Sequence, residues 1–282
     1  MNNPKYIRIF SDIHLDFDIP SNLKNFSPQT DIWSPVPLES DPETILILAG
    51  DIWHAKKPFK FMGFSWIKKV SEQFHSIIIV LGNHDFWSGN LQKEYQYYID
   101  SIKEQGLSNV FLLQDNTIVM DNLKFVGGTL WTDYNKANNI SMSFAESNMN
   151  DFRYIKNGMS FARLKANHLL GAHIKTQNHI RTHAKKDYPE QNLWVITHHL
   201  PTFKSIPKTY LEVYGINENA LYATNLEDLF DGDIDVWVHG HGHEAMNYNL
   251  NKTHIISNPR GYRGESTGYS HTSLFDFNGN II

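Results

Sequence analysis

Asp233-Ile234-Asp235-Val236-Trp237-Val238-His239-Gly240-His241-Gly242-His243 is an apolar-rich run that ends in a glycine-spaced series of histidines. The run reads as a buried strand, and each glycine lets the backbone turn without a Cβ clash. His241 and His243 are thereby brought into one small volume at the edge of a sheet. Neutral imidazole is the commonest protein ligand for borderline metals. A His-rich tract alone is compositional evidence and also fits a polar surface loop, so the rest of the chain decides its meaning.

Other strand-like runs end in the same way. Tyr6–Phe10, rich in β-branched and aromatic residues, runs into Ser11-Asp12-Ile13-His14. Its period of two puts Asp12 and His14 on one side. Thr44–Ala49 is almost continuously apolar, the pattern of a sheet covered on both faces, and ends at Gly50-Asp51. His75–Leu81 ends at Gly82-Asn83-His84-Asp85, and Leu193–Thr197 delivers His198 and His199. Helical patterns over Phe59–Phe74, Leu91–Gln105 (closed by Gly106) and Ser160–His183 (with Ser160 as N-cap) separate these strands. Such alternation predicts an α/β fold, in which ligands bind outside the carboxyl ends of the strands. Asn109–Leu113, Thr117–Met120 and Leu123–Val126 read as short strands, the last two joined at Asp121-Asn122. Ala245–Leu250, His254–Ser257 and His271–Phe277 read as antiparallel strands. The chain is read as one domain over residues 1–282, with a loop over Asp16–Asp41 and loop insertions near 132–158 and 201–223.

Composition narrows the chemistry. Among 282 residues there is no cysteine, so a metal must be held by His, Asp, Glu or Asn. The hydrophobic share of 41% and charged share of 20% are ordinary for a globular protein. No apolar run approaches the ~18 residues of a membrane span, and no signal segment follows Met1, so a cytoplasmic protein is expected. A formal charge of −5, from 25 basic and 30 acidic residues, disfavours a broad nucleic-acid surface. Asp12, His14, Asp51, Asn83, His198, His241 and His243 all stand at or just after strand ends. Together they could hold two divalent ions about 3.5–4 Å apart, with Asp51 bridging both. Two such ions would give an acidic protein a local positive site for phosphate.

The ordered motifs Asp12-x-His14, Gly50-Asp51, Gly82-Asn83-His84-Asp85, His198 and Gly240-His241-Gly242-His243 resemble those of the calcineurin-like metallophosphoesterases. The resemblance implies a four-layer α/β/β/α sandwich of two mixed β-sheets flanked by helices. It further implies hydrolysis of phosphomonoesters or phosphodiesters by a metal-bridging hydroxide. Carried over by position, Asp12, His14, Asp51 and His243 would hold one metal, and Asp51, Asn83, His198 and His241 the other. The sequence Thr197-His198-His199 departs from the Gly-His form of many members and leaves open which imidazole coordinates. His198 is taken as the ligand and His199 as a substrate contact or a residue behind it. His84 is expected over the metals as general acid or phosphate contact, with Asp85 hydrogen-bonded to its ring. The ligand set suits Mn, Fe, Ni or Zn alike.

Several further residues are candidates. Arg153 could clamp a phosphate oxygen or pair with Asp151, and Arg260 could line the site or serve the turn around it. Phe86, Trp87, Phe203, Tyr210, Tyr214 and Tyr262 could stack a base or pack the loops. His179 and His183, one helical turn apart, could share a metal or sit solvated at a helix end. The expected substrate is a small phosphoester or nucleotide. The alternatives are a nuclease, which the low basic content disfavours, and a catalytically silent binding module, which would have lost ligands that this chain retains.

Overall fold

A computed structural model describes residues 3–19 and 32–282 of the chain. The strands are β1 (Tyr6–Phe10), β2 (Thr44–Ala49), β3 (Ser76–Val80), β4 (Val110–Leu112), β5 (Asn116–Met120) and β6 (Leu123–Gly128). They continue with β7 (Lys156–Asn157), β8 (Ala162–Arg163), β9 (Asn192–Thr197), β10 (Val236–Val238), β11 (Met246–Leu250) and β12 (Thr253–Ser257). The helices are α1 (Lys57–Ser71), α2 (Glu94–Glu104), α3 (Tyr134–Ala137), α4 (Asn139–Asn148), α5 (Asp151–Tyr154), α6 (Ala166–His183), α7 (Lys208–Val213) and α8 (Ile216–Asn219).

Two main sheets face each other. One has the order β1-β2-β3-β4 and is parallel throughout. The other, ordered β11-β12-β10-β9-β6-β5, is parallel at its centre and closed by an antiparallel strand at each edge. Side-chain alternation along each strand assembles the layers. In β1, β2 and β3, Ile7, Ile9, Ile45, Ile47, Ile78 and Val80 turn inward to meet Phe125, Trp194, Ile196, Val236 and Val238 of the second sheet. The intervening Phe10, Leu46, Leu48, Ile77 and Ile79 turn outward against Phe64, Ile67 and Val70 of α1 and Tyr98 of α2. On the far side, Val126, Leu193, Val195 and Trp237 pack with Ile180 of α6 and with Phe230. The result is helices on both outer faces and apolar layers on both sides of each sheet, as the continuous β2 pattern requires.

Some boundaries differ from the sequence reading. The long helix begins at Ala166 after Lys165, not at Ser160, because residues 156–163 form the β7–β8 hairpin first. Gly158 and Phe161, with φ of +69° and +54°, supply its turn. Gly106, at φ +66°, closes α2 as a left-handed C-terminal residue. The stretch 271–277 is no full strand: Phe275 alone pairs with Ile7 and Ile281. Residues 20–31 of the loop expected over 16–41 lie outside the described residues. The two insertions are not plain loops. Residues 134–137 make a left-handed turn, with φ between 51° and 61°, that leads into α4. Asn217, at α8 in the second insertion, accepts from Ser141 (3.1 Å) and Asn135 (3.3 Å) in the first, so the two pack on one another.

Candidate metal centre

Five of the parallel strands, β1, β2, β3, β9 and β10, end at one spot. Two glycines permit the approach. A Cβ on Gly82 would collide with the Asp51 carboxylate and a Cβ on Gly50 with the His198 ring. Asp12, His14, Asp51, His241 and His243 have φ of 49°, 48°, 56°, 65° and 48°. Holding non-glycine residues there costs about 1–3 kcal/mol each, and such strain gathers at functional sites. It aims each side chain back across the strand ends.

Six of the seven residues, with His84, fall into three overlapping groups of donor atoms, and Asp51 belongs to two of them. Ligand atoms of Asp12, His14 and His243 lie within 4.8 Å of one another, as do those of His14, Asp51 and His84 and those of Asp51, His198 and His241. Asp51 Oδ1 is 3.3 Å from His198 Nε2 and its Oδ2 4.0 Å from His14 Nε2 and 3.9 Å from His84 Nε2. Nε2 of His14 and His243 face each other at 3.2 Å, and His243 Nε2 is 3.4 Å from Asp12 Oδ1. Asn83 turns its Oδ1 to His198 Nε2 at 3.0 Å. Among the described residues, His241 Nε2 is buried without a hydrogen-bond partner. A buried, unpartnered imidazole nitrogen in a group of carboxylate and imidazole donors fits a divalent cation.

Titration follows from this crowding. Burial would raise Asp51, yet His198 and His84 beside it hold it well below the usual carboxylate range. Burial opposes charge on His198 and on His243, but Asp51 beside the first and Asp12 beside the second raise both to about 9. His14 and His199 are pushed down to about 3 by burial. His198 and His243 each favour a proton beside a carboxylate, and metal binding there requires that proton to leave.

The surrounding side chains fix the donors. His198 Nδ1 donates to Ala49 O at 2.9 Å, and His243 Nδ1 to Glu265 at 2.7 Å, which turns each Nε2 inward. Asp151 accepts from Asn83 Nδ2 (2.9 Å) and Trp87 Nε1 (2.6 Å). His84 stacks on Trp87, with ring centres 3.5 Å apart, and its Nε2 meets the Tyr262 hydroxyl at 3.2 Å. Tyr262 also stacks on His14, with ring centres 4.5 Å apart. A cavity of about 310 Å³ opens over Asp51, Asn83, His84, His241 and His243.

Some expected contacts are not made. Asp85 does not reach the His84 ring. It accepts from the backbone N–H of Asp51 (2.9 Å), Gly82 (2.8 Å), Ile52 (3.2 Å) and Trp53 (3.3 Å) and from the Tyr98 hydroxyl (3.1 Å), so it braces the loops beneath. Burial and Asp51 raise its pKa to about 7. Arg260 is spent on Asp18, at 2.7 and 2.9 Å, and on Ile13 O at 2.7 Å, and does not line the cavity. Arg153 is exposed, lies 3.4 Å from Asn150 Oδ1 and faces solvent because its one-turn helix buries Asp151 and Phe152 instead. His199 lies behind His241, its ring 4.3 Å away and its Nδ1 on Thr129 O at 3.2 Å. His179 and His183 pack with ring centres 4.4 Å apart, and among the described residues no third ligand joins them. Of the aromatics, Trp87, Tyr210 and Tyr262 line the cavity, whereas Phe86 packs on Trp131. Sequence reasoning missed Asp151 as a ligand support and Glu265 altogether, and no local spacing ties either to its partner.

Comparison with known proteins agrees with this geometry. A family model described as calcineurin-like phosphoesterase matches residues 6–245. The chain is 26% identical over 298 aligned residues to an uncharacterised protein of Acanthamoeba polyphaga mimivirus, with 99% of each covered. The phosphopantetheinyl hydrolase of Mycobacterium tuberculosis shares the fold with a TM-score of 0.64 over 94% of both chains, at 15% identity. With carboxylates and imidazoles clustered at its strand ends, and on a family match across most of its length, this chain belongs to the calcineurin-like phosphoesterase family of metal-dependent hydrolases.

Proposed function

We propose that the protein hydrolyses a phosphoester of a small molecule or nucleotide at a two-metal centre. Asp12, His14, Asp51 and His243 would hold one ion, and Asp51, Asn83, His198 and His241 the other. The observation that carries this reading is the position of Asp51, buried and a member of two donor groups at once, one with His14 and His84 and one with His198 and His241. Divalent ions held there would acidify a water and neutralise charge developing on the phosphoryl oxygens.

The chain supplies the rest. His84 lines the cavity, its Nε2 on the side of Asp51 and hydrogen-bonded to Tyr262. From there it can give a proton to the departing oxygen, and Tyr262 and Trp87 hold its ring for that transfer. Burial lowers the His84 pKa, against the pull of Asp51 and Asp151. A lowered pKa makes the protonated ring a stronger donor, while a smaller share of the rings carries the proton. Asp85, beneath the loops, keeps the backbone around Asp51 and His84 in place. Metal analysis of the purified chain together with a generic phosphoesterase assay tests the reading. Two divalent ions per chain and turnover abolished by chelation are expected. In Asp51→Asn, retention of both ions and of turnover would overturn the shared-carboxylate assignment.

A further inference from the structure

The cavity over the metal centre has two unlike sides. One is polar, with Asn148, Asn150 and Asp151 beside Asn83. The other is largely apolar and comes from residues 200–222: Leu200, Ile206, Pro207, Tyr210 and Tyr222, with Asn219 among them, its amide donating to Tyr214 O and Gly215 O. Leu200 and Ile206 are buried, whereas Tyr210 and Tyr222 remain 52% and 39% exposed. The Tyr222 ring lies 5.3 Å from that of His241, so this wall begins about one ring's width from the metal centre. It continues outward along α7, which buries none of its residues and leaves Leu211 and Val213 exposed.

The charge on this side is as telling as its polarity. Among the described residues, no lysine or arginine lines the cavity. An adjoining hollow of about 500 Å³ shares Pro207, Tyr210, His243 and Glu265 and adds Glu244, again without a lysine or arginine. Of the nearby cations on this insertion, Lys204 is bound to Glu227 at 2.8 Å, and Lys208 lies outside both spaces. A second phosphate beyond the one at the metals would therefore meet phenol rings, carboxylates and asparagine amides, with no lysine or arginine beside it. Phosphate recognition normally draws on Arg or Lys, and an unpaired anion on an apolar surface is costly. An uncharged ring, by contrast, gains large contact area on Tyr210, Tyr222 and Leu200.

We propose that this wall selects phosphoesters with a single phosphoryl group and an uncharged, apolar or aromatic leaving group, and rejects nucleoside di- and triphosphates. The proposal rests on the phosphoester-hydrolase reading and deepens it. Water adds oxygen to phosphorus, the bond from phosphorus to the leaving oxygen breaks, and that oxygen takes a proton and departs as an alcohol or phenol along the wall.

The test uses the metal-loaded full chain with phenyl phosphate, diphenyl phosphate, methyl phosphate and ADP. The better of the two phenyl esters should exceed ADP in kcat/KM by roughly 10–100-fold, the usual discrimination of an apolar pocket. Calorimetric titration with phenylphosphonate, methylphosphonate and methylenediphosphonate should give the same order of binding, phenyl tightest and diphosphonate weakest. Tyr222 is exposed enough to accept Arg, and Tyr222→Arg should shift the ratio toward ADP by about tenfold. Tyr222→Leu should keep the wild-type order, and unchanged melting of both variants shows that they fold. ADP hydrolysed as well as the phenyl esters, or a ratio unmoved by Tyr222→Arg, overturns the proposal. Should no ester be hydrolysed, the hydrolase reading falls, while the phosphonate order still decides for or against the wall.

Discussion

Asp151→Ala removes the acceptor that holds two residues of the metal centre. Its Oδ1 takes hydrogen bonds from Asn83 Nδ2 at 2.9 Å and Trp87 Nε1 at 2.6 Å. Acceptor and donors are all buried, at 3%, 3% and 9% exposure for Asp151, Asn83 and Trp87. A buried donor left without its partner costs about 1–3 kcal/mol. Two such donors give about 2–6 kcal/mol, reduced if water refills the space that the carboxylate leaves. Function should suffer more selectively than stability. With Nδ2 tied to Asp151, the Asn83 amide can only present Oδ1 toward His198 Nε2, 3.0 Å away. Released, it can rotate and offer its NH₂, which cannot bind a cation. Loss of such an outer partner typically costs about 10–100-fold in metal affinity. Asp151→Asn keeps a carbonyl oxygen for the two donors and should fall between wild type and Asp151→Ala. Competition against a chromophoric chelator measures the affinity, and thermal unfolding of the same samples measures the stability. Wild-type metal affinity in Asp151→Ala would refute the claim that this carboxylate orients Asn83.

Three further outcomes are expected. His84→Ala should slow hydrolysis of an alkyl phosphoester by about 10²–10⁴-fold but that of a nitrophenyl ester far less, with metal content unchanged; equal losses on both substrates would make His84 a phosphate contact instead of a proton donor. Arg260→Ala should destabilise the fold by about 1.5–3 kcal/mol, since its guanidinium ties Asp18 and Ile13 O to the C-terminal segment, while KM barely moves; raised KM at unchanged stability would return Arg260 to the substrate. His173 is buried on α6 with Nδ1 on Leu130 O at 2.9 Å, and burial holds its pKa below the usual 6.5. Because the unfolded chain takes up that proton first, the neutral ring stabilises the fold fully above pH 6.5, and this contribution is lost as pH falls toward the depressed folded value. His173→Gln should therefore flatten the decline of melting temperature between about pH 7 and 5, and parallel wild-type and variant profiles would contradict it.

The meeting of the strand-end Asp and His residues at one place was legible because their signals are local. Each follows its strand within a few residues, and the period of two fixes which side chains share a side, as for Asp12 and His14. The two-sheet sandwich followed from the continuous apolar runs and from the resemblance those motifs carry. What the sequence hid depends on where long segments return. Asp151 meets Asn83 from 68 residues away and Glu265 meets His243 from 22. Arg260 looked equally fit for phosphate until the fold placed Asp18 beside it, 242 residues distant along the chain. Asp85 was misjudged for a different reason. Adjacent to His84, it was expected to serve that ring, whereas the tight turn after β3 directs its carboxylate down into the backbone amides around Asp51.

The left-handed backbone at Asp12, His14, Asp51, His241 and His243 restricts which amino acids can ever occupy this centre. Outside glycine, Asn, Asp and His are the types most at ease at such angles. They are also oxygen and nitrogen donors on short side chains. The backbone therefore dictates an alphabet of ligands before any metal chooses among them. Glutamate would reach the same ion with one more methylene, and cysteine would favour softer ions, but both lack that ease at these angles. Efforts to retune the site toward thiophilic metals should then begin at Asn83 and His198, which lie outside the left-handed set. The freedom to change its chemistry resides in two residues of seven.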